Sequence, residues 1–147
     1  MHYLKNKSKE ELLQMINNHC QDTLFSAMGV EFIDLDKNSV SAKMPVDKRT
    51  VQRYRILHGG ASAALAESVA SVAGWLHIDE DKQMIVGVEI NANHLRPVKE
   101  GEGFVIAKAT PAKIGKKIHV WEIKITDDKD KLICTSRCTL AVIDKIK

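Results

Sequence analysis

The stretch His58–Ser71, HGGASAALAESVAS, decides the fold of this chain. Apart from its first residue, its serines and one carboxylate, Glu67, it consists of small and apolar residues, and the apolar run continues to Leu76. A helix that is apolar on every side is buried in a protein core. The stretch therefore predicts one long central helix, from about His58 to His77, with the rest of the chain folded around it.

The carboxylate of Glu67 is the feature of this helix that needs an explanation. Burying a carboxylate costs several kcal/mol unless a partner or a raised pKa relieves it. Glu67 could be catalytic, or it could be held by Ser71 or by a polar group of another subunit. Gly59 and Gly60 let another group approach the helix start, where unpaired N–H groups concentrate positive potential. N–H groups that could polarise a bound carbonyl thus lie about two helical turns before Glu67, which favours the catalytic interpretation.

The flanking sequence predicts an α+β domain. Ser8 before Glu10 and Glu11 predicts a capped helix running to about Cys20, and a short turn is expected over Thr23–Gly29. Pro45–Leu57 is a polar, arginine-rich connection. Six segments have the composition or alternation typical of strands: Val30–Asp36, Ser39–Met44, Met84–His94, Gly103–Ala112, Lys116–Thr126 and Leu132–Ile143.

These elements predict one domain over residues 1–147, in which residues 1–28 form a helical extension. The strand Lys116–Thr126 attracts attention because Val120–Ile125 is apolar on both faces apart from Glu122 and Lys124. A strand of this kind indicates that a neighbouring subunit covers one face. We therefore expect a homo-oligomer.

Composition excludes several classes of function. The 147 residues are 44% hydrophobic and 28% charged with a net charge of +3, and no basic block with interleaved aromatic residues occurs. These values predict a globular protein that does not bind nucleic acid. The polar N-terminus predicts no signal peptide. The apolar run Ala61–Leu76 is too short to span a bilayer and contains Glu67, so we expect no membrane association.

The cysteines and histidines do not suggest a metal or a disulfide framework. Cys20, Cys134 and Cys138 are an odd set, and the last two lie about 13 Å apart on one strand face, too far for a disulfide. They indicate buried, reduced thiols and a cytoplasmic location. Because the histidines lack the spacing of metal ligands, we predict no metal site.

Three segments resemble those of a known family. They are Leu57–Ser68 (LHGGASAALAES), Val86–Pro97 (VGVEINANHLRP) and Gly115–Trp121 (GKKIHVW). With them, the chain from about Gly29 to Ile143 resembles the hotdog-fold acyl-CoA thioesterases of the phenylacetate-pathway and 1,4-dihydroxy-2-naphthoyl-CoA hydrolase type. The resemblance implies a curved antiparallel sheet wrapped around one long central helix. It also implies dimers that pair edge to edge, commonly assemble again into homotetramers, and place the active site between two subunits.

The same resemblance implies an activity and a set of catalytic residues. The reaction is hydrolysis of an acyl-CoA thioester with an aromatic or other bulky acyl group to the free acid and coenzyme A. Glu67 corresponds to the catalytic carboxylate, as general base or nucleophile, and Gly59 to the N–H that polarises the thioester carbonyl. His58 and Gln52 correspond to residues that orient the thioester and the attacking water, and Ser71 to a helper hydroxyl.

Two further segments correspond to binding positions for the small-molecule acyl-CoA. The first lines the ligand cleft: Asn93, His94, Leu95 and Arg96. The second is the loop that meets the nucleotide part of coenzyme A: Lys113, Ile114, Gly115, Lys116 and Lys117. Coenzyme A enters as part of the substrate, and no metal or prosthetic group is expected. One departure is present, because the family often has Pro and Gly just before the His-Gly-Gly, where this chain has Gln52-Arg53-Tyr54-Arg55-Ile56.

Several alternatives stay open on the sequence. An acyl-thioester hydratase or dehydratase on the same fold, or a non-catalytic acyl-CoA-binding protein, would share much of the pattern, but Glu67 nine residues after His58 argues against both. His94 could be a satisfied core histidine. The lysines around Gly115 could be a solvated turn, and Arg53 and Arg55 could be surface charges rather than phosphate contacts.

Overall fold

A computed structural model describes residues 7–145 of the chain. Its central element is the helix α3, Gly59–Trp75, which begins one residue after its N-cap, His58. The side of α3 that carries Leu65, Ala66 and Val69 is fully buried, as the sequence predicts. The helix lies so close to the sheet that a β-carbon on Gly74 would be 2.8 Å from Leu140 Cδ1.

Six strands form one antiparallel sheet around α3. They are β1 (Glu31–Leu35), β2 (Val40–Pro45), β3 (Gln83–His94), β4 (Phe104–Ile114), β5 (Ile118–Asp127) and β6 (Leu132–Asp144). Their order across the sheet is β1-β2-β4-β5-β6-β3, and α3 packs against β2, β3, β4, β5 and β6. This architecture confirms the predicted class of a curved antiparallel sheet wrapped around one long helix. Each predicted strand is present, and no end is shifted by more than two residues.

Two helices precede the sheet. Helix α1, Lys9–His19, starts at a capping box in which the Ser8 hydroxyl accepts from the Glu11 N–H and the Glu11 carboxylate accepts from the Ser8 N–H. A second helix, α2 (Leu24–Met28), occupies the segment where the sequence predicts only a turn. Five residues are too few to show helical periodicity, so this prediction was wrong.

The two edges of the sheet differ in what covers them. On β1, the Asn17 side chain of α1 pairs with the backbone of Phe32: its Nδ2 donates to the Phe32 carbonyl and its Oδ1 accepts from the Phe32 N–H, each at 2.9 Å. On the other edge, β3 has β6 on one side and no strand of the described chain on the other. The edge of β3 is therefore the one that can take another strand.

Strand β5 is the strand whose apolar pattern predicts a neighbouring subunit. It lies inside the sheet, between β4 and β6, and its inward residues His119, Trp121 and Ile123 are buried. Its outward face carries the exposed Glu122 and Lys124. The core of one chain thus explains the inward half of this apolar pattern, while Ile118 and Val120 lie on the outward face, where a subunit contact stays a prediction.

The three cysteines are free and buried. Burial is the main reason that the pKa of the Cys138 thiol is raised to about 12, and the nearby carboxylates of Glu67 and Glu89 add to the effect. Over the described residues, no helix has both the length and the hydropathy needed to cross a membrane.

Candidate active site

The start of α3 presents one unused backbone donor. The Gly60 N–H donates to His58 Nδ1 at 2.8 Å, and the N–H groups of Ala61 and Ser62 donate to the His58 carbonyl at 3.0 and 3.2 Å. Within residues 7–145, no group accepts from the Gly59 N–H. This N–H therefore remains available, at the positive end of the helix, for an oxygen of a bound ligand.

His94 lies directly over this helix start. It is the last residue of β3 and is exposed, and a β-carbon on Gly59 would be 2.7 Å from its Nε2. The alternative that His94 is a satisfied core histidine is therefore wrong. Gly59, His58 and His94, which the sequence assigns to one site, come together within a single chain.

The carboxylate of Glu67 faces β3 at Gly87. A β-carbon on Gly87 would be 2.1 Å from Glu67 Oε1, so only glycine leaves room for this side chain. Glu67 is half-buried rather than fully buried as expected, because the strand that it faces is a sheet edge. Among the described residues it has no hydrogen-bond or ion-pair partner, and the half-buried Ser71, one turn later, does not hold it.

Gly87 is the residue of this site that sequence reasoning missed. A glycine inside a strand marks a bulge or a close approach of another group, and this signal was present in VGVEI. In the structure β3 has both features, since its register with β6 shifts between Gly87 and Glu89. The intervening Val88 is 61% exposed.

Gln52 lies in a tight loop that leads into α3. Val51 pairs with Leu57, and the His58 N–H donates to the Thr50 carbonyl at 2.9 Å, so the two ends of the loop are joined. The Gln52 side chain is half-buried, and its Oε1 accepts from the Tyr54 N–H at 2.6 Å.

The departure from the family pattern lies in the turn of this loop. Arg55 has φ +59°, the left-handed conformation that glycine adopts most easily. The loop thus makes a left-handed turn at an arginine. Arg53 stacks on the Tyr54 ring at 4.6 Å from its centroid.

Within one chain, the two predicted binding segments lie at opposite ends of the sheet. His94 pairs with Cys134, which pairs with Ile125, whereas the turn at Gly115 precedes Ile118 at the other end of β5. Seven residues of strand separate these levels by about 23 Å. Asn93, Leu95 and Arg96 are exposed beside His94, but the exposed lysines of the loop, Lys113, Lys116 and Lys117, do not reach this site within the chain.

A groove runs from Ser71 along α3 to the start of β3. Its volume is about 320 Å³. Its walls are mainly apolar and include Val72, Trp75, Met84 and Ile85. The Trp75 indole is held by a hydrogen bond from its Nε1 to Glu80 Oε2 at 2.9 Å. The groove begins one helical turn beyond Glu67, so a ligand that reaches this carboxylate can place an apolar group in it.

Comparison with known proteins agrees with this geometry. The sequence pattern of the Thioesterase superfamily matches residues 54–134. The chain belongs to the thioesterase superfamily. Over 131 residues this thioesterase is 41% identical to the 1,4-dihydroxy-2-naphthoyl-CoA hydrolase of Escherichia coli K12, covering 89% of this chain and 94% of that protein.

Solved structures match the fold of this thioesterase. Thioesterase HI1161 from Haemophilus influenzae has a TM-score of 0.84 and 43% identity, covering 97% of this chain and 95% of that one. Two mutants of Staphylococcus aureus SAV0944, with a glutamate or a glutamine replaced by alanine, have TM-scores of 0.79 and 0.77 at 37% identity. They cover 83% and 81% of this chain and 99% and 97% of theirs. The predictions of a hotdog fold and of a thioester hydrolase are confirmed.

Proposed function

We propose that this thioesterase hydrolyses acyl-CoA thioesters with an aromatic or other bulky acyl group, and that Glu67 is its general base or nucleophile. The observation that carries the proposal is the carboxylate of Glu67, which has no partner among the described residues and lies at the bare backbone of Gly87, on a sheet edge that no strand of the described chain covers. The E. coli relative, named for an aromatic acyl-CoA substrate, supports the substrate class.

The chemistry follows from two groups of α3. As a thioester carbonyl is attacked, its oxygen gains negative charge, and the free Gly59 N–H is suited to stabilise it. One donor of this kind is worth about 3 kcal/mol in the transition state. Glu67 either takes a proton from the attacking water or attacks the carbonyl itself to give an anhydride that water then opens. On either route the C–S bond breaks, coenzyme A leaves as the thiolate and takes up a proton, and water supplies the oxygen of the free acid. These residues supply base and donor themselves, so the proposed reaction uses no metal or prosthetic group.

The distance between these groups favours a site shared by two subunits. Eight residues of helix place Gly59 and Glu67 about 12 Å apart along the axis of one α3, too far for both to touch one thioester. Antiparallel pairing of two β3 edges would run the His94 end of one strand toward the Gly87 end of the other. The Gly59 of one subunit would then meet the partner's Glu67, in a homodimer or a dimer of dimers.

The same pairing accounts for the other predicted residues. The apolar groove beside Ser71 would receive the acyl group, while His58 and Gln52 would orient the thioester and water. The segment Asn93–Arg96 would line the cleft. The loop Lys113–Lys117 would come from the partner subunit and meet the phosphates of coenzyme A, because within its own chain it lies at the end of the sheet opposite His94.

A further observation supports the roles of Gln52 and Glu67. In SAV0944, the glutamine and the glutamate that were replaced are fifteen positions apart, the separation of Gln52 and Glu67 in this chain.

For location, the buried free thiols of Cys20, Cys134 and Cys138 support a reducing compartment, and we propose the cytoplasm.

The test is release of free thiol from a panel of aromatic and straight-chain acyl-CoAs by the wild type and by Glu67→Gln. We expect the wild type to prefer aromatic substrates in kcat/KM. Glu67→Gln should lower kcat by about 10²- to 10⁴-fold while leaving the affinity for a non-hydrolysable acyl-CoA analogue near normal. A Glu67→Gln enzyme within a few-fold of wild type would remove Glu67 from the mechanism.

A further inference from the structure

Arg55 has an unusual backbone conformation next to the proposed site. Its φ of +59° disfavours any residue with a β-carbon, and strained residues of this kind persist only where their surroundings hold them. Arg55 also lies in the loop Gln52–Ile56, which departs from the Pro and Gly that the resemblance leads one to expect before His-Gly-Gly. Something in this chain must therefore offset the conformational cost.

Glu100 holds Arg55 from two directions. Its carboxylate accepts a bidentate pair of hydrogen bonds from the guanidinium, with Arg55 Nε 2.6 Å from Glu100 Oε2 and Nη2 in contact with Oε1. Its backbone N–H donates to the Arg55 carbonyl at 2.9 Å. Next to it, Ile56 pairs with Lys99, so the turn is fastened to the segment that precedes β4. We call the Arg55–Glu100 pair the clamp.

The clamp leads directly to Gln52. The Arg55 N–H donates to the Gln52 carbonyl at 2.8 Å, and the Gln52 N–H donates to the Ile56 carbonyl at 2.9 Å. With its side-chain oxygen taken by the Tyr54 N–H, Gln52 keeps its amide Nε2 without a partner among the described residues. The left-handed turn at Arg55 therefore fixes both the backbone and the side-chain oxygen of Gln52, and leaves one donor free.

We propose that Arg55 and Glu100 are positioning residues that hold Gln52 in its working orientation through the left-handed turn at Arg55. This inference rests on the proposed function of Gln52. The ion pair is partly exposed, with 59% of the Arg55 and 29% of the Glu100 side chain accessible. A pair of this kind adds little to global stability, so its effect is concentrated on the strained turn.

The proposal predicts a specific pattern of epistasis. Glu100→Ala removes the partner that offsets the strain, and we expect kcat to fall about five-fold with little change in KM. Adding Arg55→Gly removes the strain itself, so the double variant Arg55→Gly/Glu100→Ala should recover to within about two-fold of wild type. Arg55→Ala keeps the strain and loses the pair, and should be as impaired as Glu100→Ala. Glu122→Ala, which breaks the exposed pair with Arg137 on the outer sheet face, is the matched control and should change nothing.

Two further measurements separate positioning from a merely structural role. In a Gln52→Ala background, Glu100→Ala should cost no additional turnover if the clamp acts through Gln52. Hydrogen exchange of the Gln52 and Arg55 amides, both hydrogen-bonded within this turn, should accelerate in Glu100→Ala and slow again in the double variant, whatever substrate the enzyme uses.

The outcomes have distinct meanings. No rescue by Arg55→Gly, or a full additional loss from Glu100→Ala in the Gln52→Ala background, would overturn the clamp. Faster amide exchange with unchanged turnover would also overturn it, because the loop would then move without consequence. If Gln52→Ala alone leaves turnover intact, the role proposed for Gln52 fails instead, and the positioning role fails with it. If the proposed acyl-CoA hydrolysis is itself wrong, the wild type will be inactive on these substrates before any variant is compared.

Discussion

The carboxylate of Glu67 occupies the space that a side chain at Gly87 would need: a β-carbon there would lie 2.1 Å from Glu67 Oε1. Gly87 is in the middle of β3, with no positive φ to require glycine, so the close approach is the reason for this residue. The bulge that follows and the free edge of β3 leave the carboxylate accessible from outside the chain.

From this relationship we predict that Gly87→Ala impairs hydrolysis more than folding. The far end of the Glu67 side chain can rotate away from the new methyl group, so the loss of stability should be small, about 1 kcal/mol. Because the carboxylate is displaced, kcat of the variant should nevertheless fall by about 10²-fold. Thermal unfolding and thiol release, measured on the same preparation, check the two parts. Introduced into Glu67→Gln, the same change should have no further effect on residual turnover; a second full loss there would mean that Gly87 acts independently of Glu67.

The fold was readable from the sequence because its decisive signals are local. An apolar run with a single carboxylate and a His-Gly-Gly start defines α3, and alternation defines the strands. The helix α2 was missed because five residues carry no period, and the sequence of β5 could not show that this strand is interior to the sheet. His94 and Gly59 could be assigned to one site through resemblance.

What the sequence could not give is the set of contacts between distant segments. Nothing in the order of residues states that Gly87 faces Glu67 or that Glu100 holds Arg55, since both contacts depend on how strands and loops stack in space. The half-burial of Glu67 was also out of reach, because it depends on β3 being an edge. A glycine inside a strand and a missing glycine in a turn were the only local signs of these two contacts.

The edge of β1 gives a second prediction. Asn17 satisfies both backbone groups of Phe32 in place of a neighbouring strand. Asn17→Ala leaves this donor and acceptor unpaired, which costs about 1–3 kcal/mol where they are buried, and it opens the edge to other chains. We expect a lower Tm together with concentration-dependent growth in particle size by light scattering. The exposed neighbour provides the control, since Asn18→Ala should show neither change.

Histidine burial predicts a pH dependence of stability. Burial lowers the pKa of His119 and of His77 below the usual 6.5, so the folded protein keeps both rings neutral where the unfolded chain begins to bind protons. The contribution of these two histidines to the free energy of unfolding is therefore fully present above about pH 6.5. It falls as the pH drops below that value, because the unfolded state binds more protons. Tm measured from about pH 8 to about pH 5 should decline below pH 6.5.

A variant that lacks the His119 ring isolates the contribution of this residue. His119→Gln cannot take up the proton, so its Tm should decline less steeply over the same range, whatever its absolute value. The carboxylates of Asp36, Asp47 and Asp127 have a pKa lowered from 3.8 by hydrogen bonds, and they titrate below this window. If Tm of His119→Gln declined with pH as steeply as Tm of the wild type, the buried His119 ring would not cause the loss of stability in acid.

The shared site gives the last prediction, because two inactive variants should complement each other. Glu67→Gln lacks the carboxylate, and Gly59→Val blocks the helix start, where even a β-carbon would meet His94 Nε2 at 2.7 Å. In a mixed dimer, one of the two sites combines the intact Gly59 of one subunit with the partner's intact Glu67, while the other site carries both changes. Random exchange of equal amounts makes about half of the dimers mixed, so about a quarter of all sites should regain activity. Subunit exchange is verified with differently tagged chains, and each variant alone sets the baseline. Absence of recovery after proven exchange would place both groups of a working site in one subunit, and edge pairing through β3 would then have no part in catalysis.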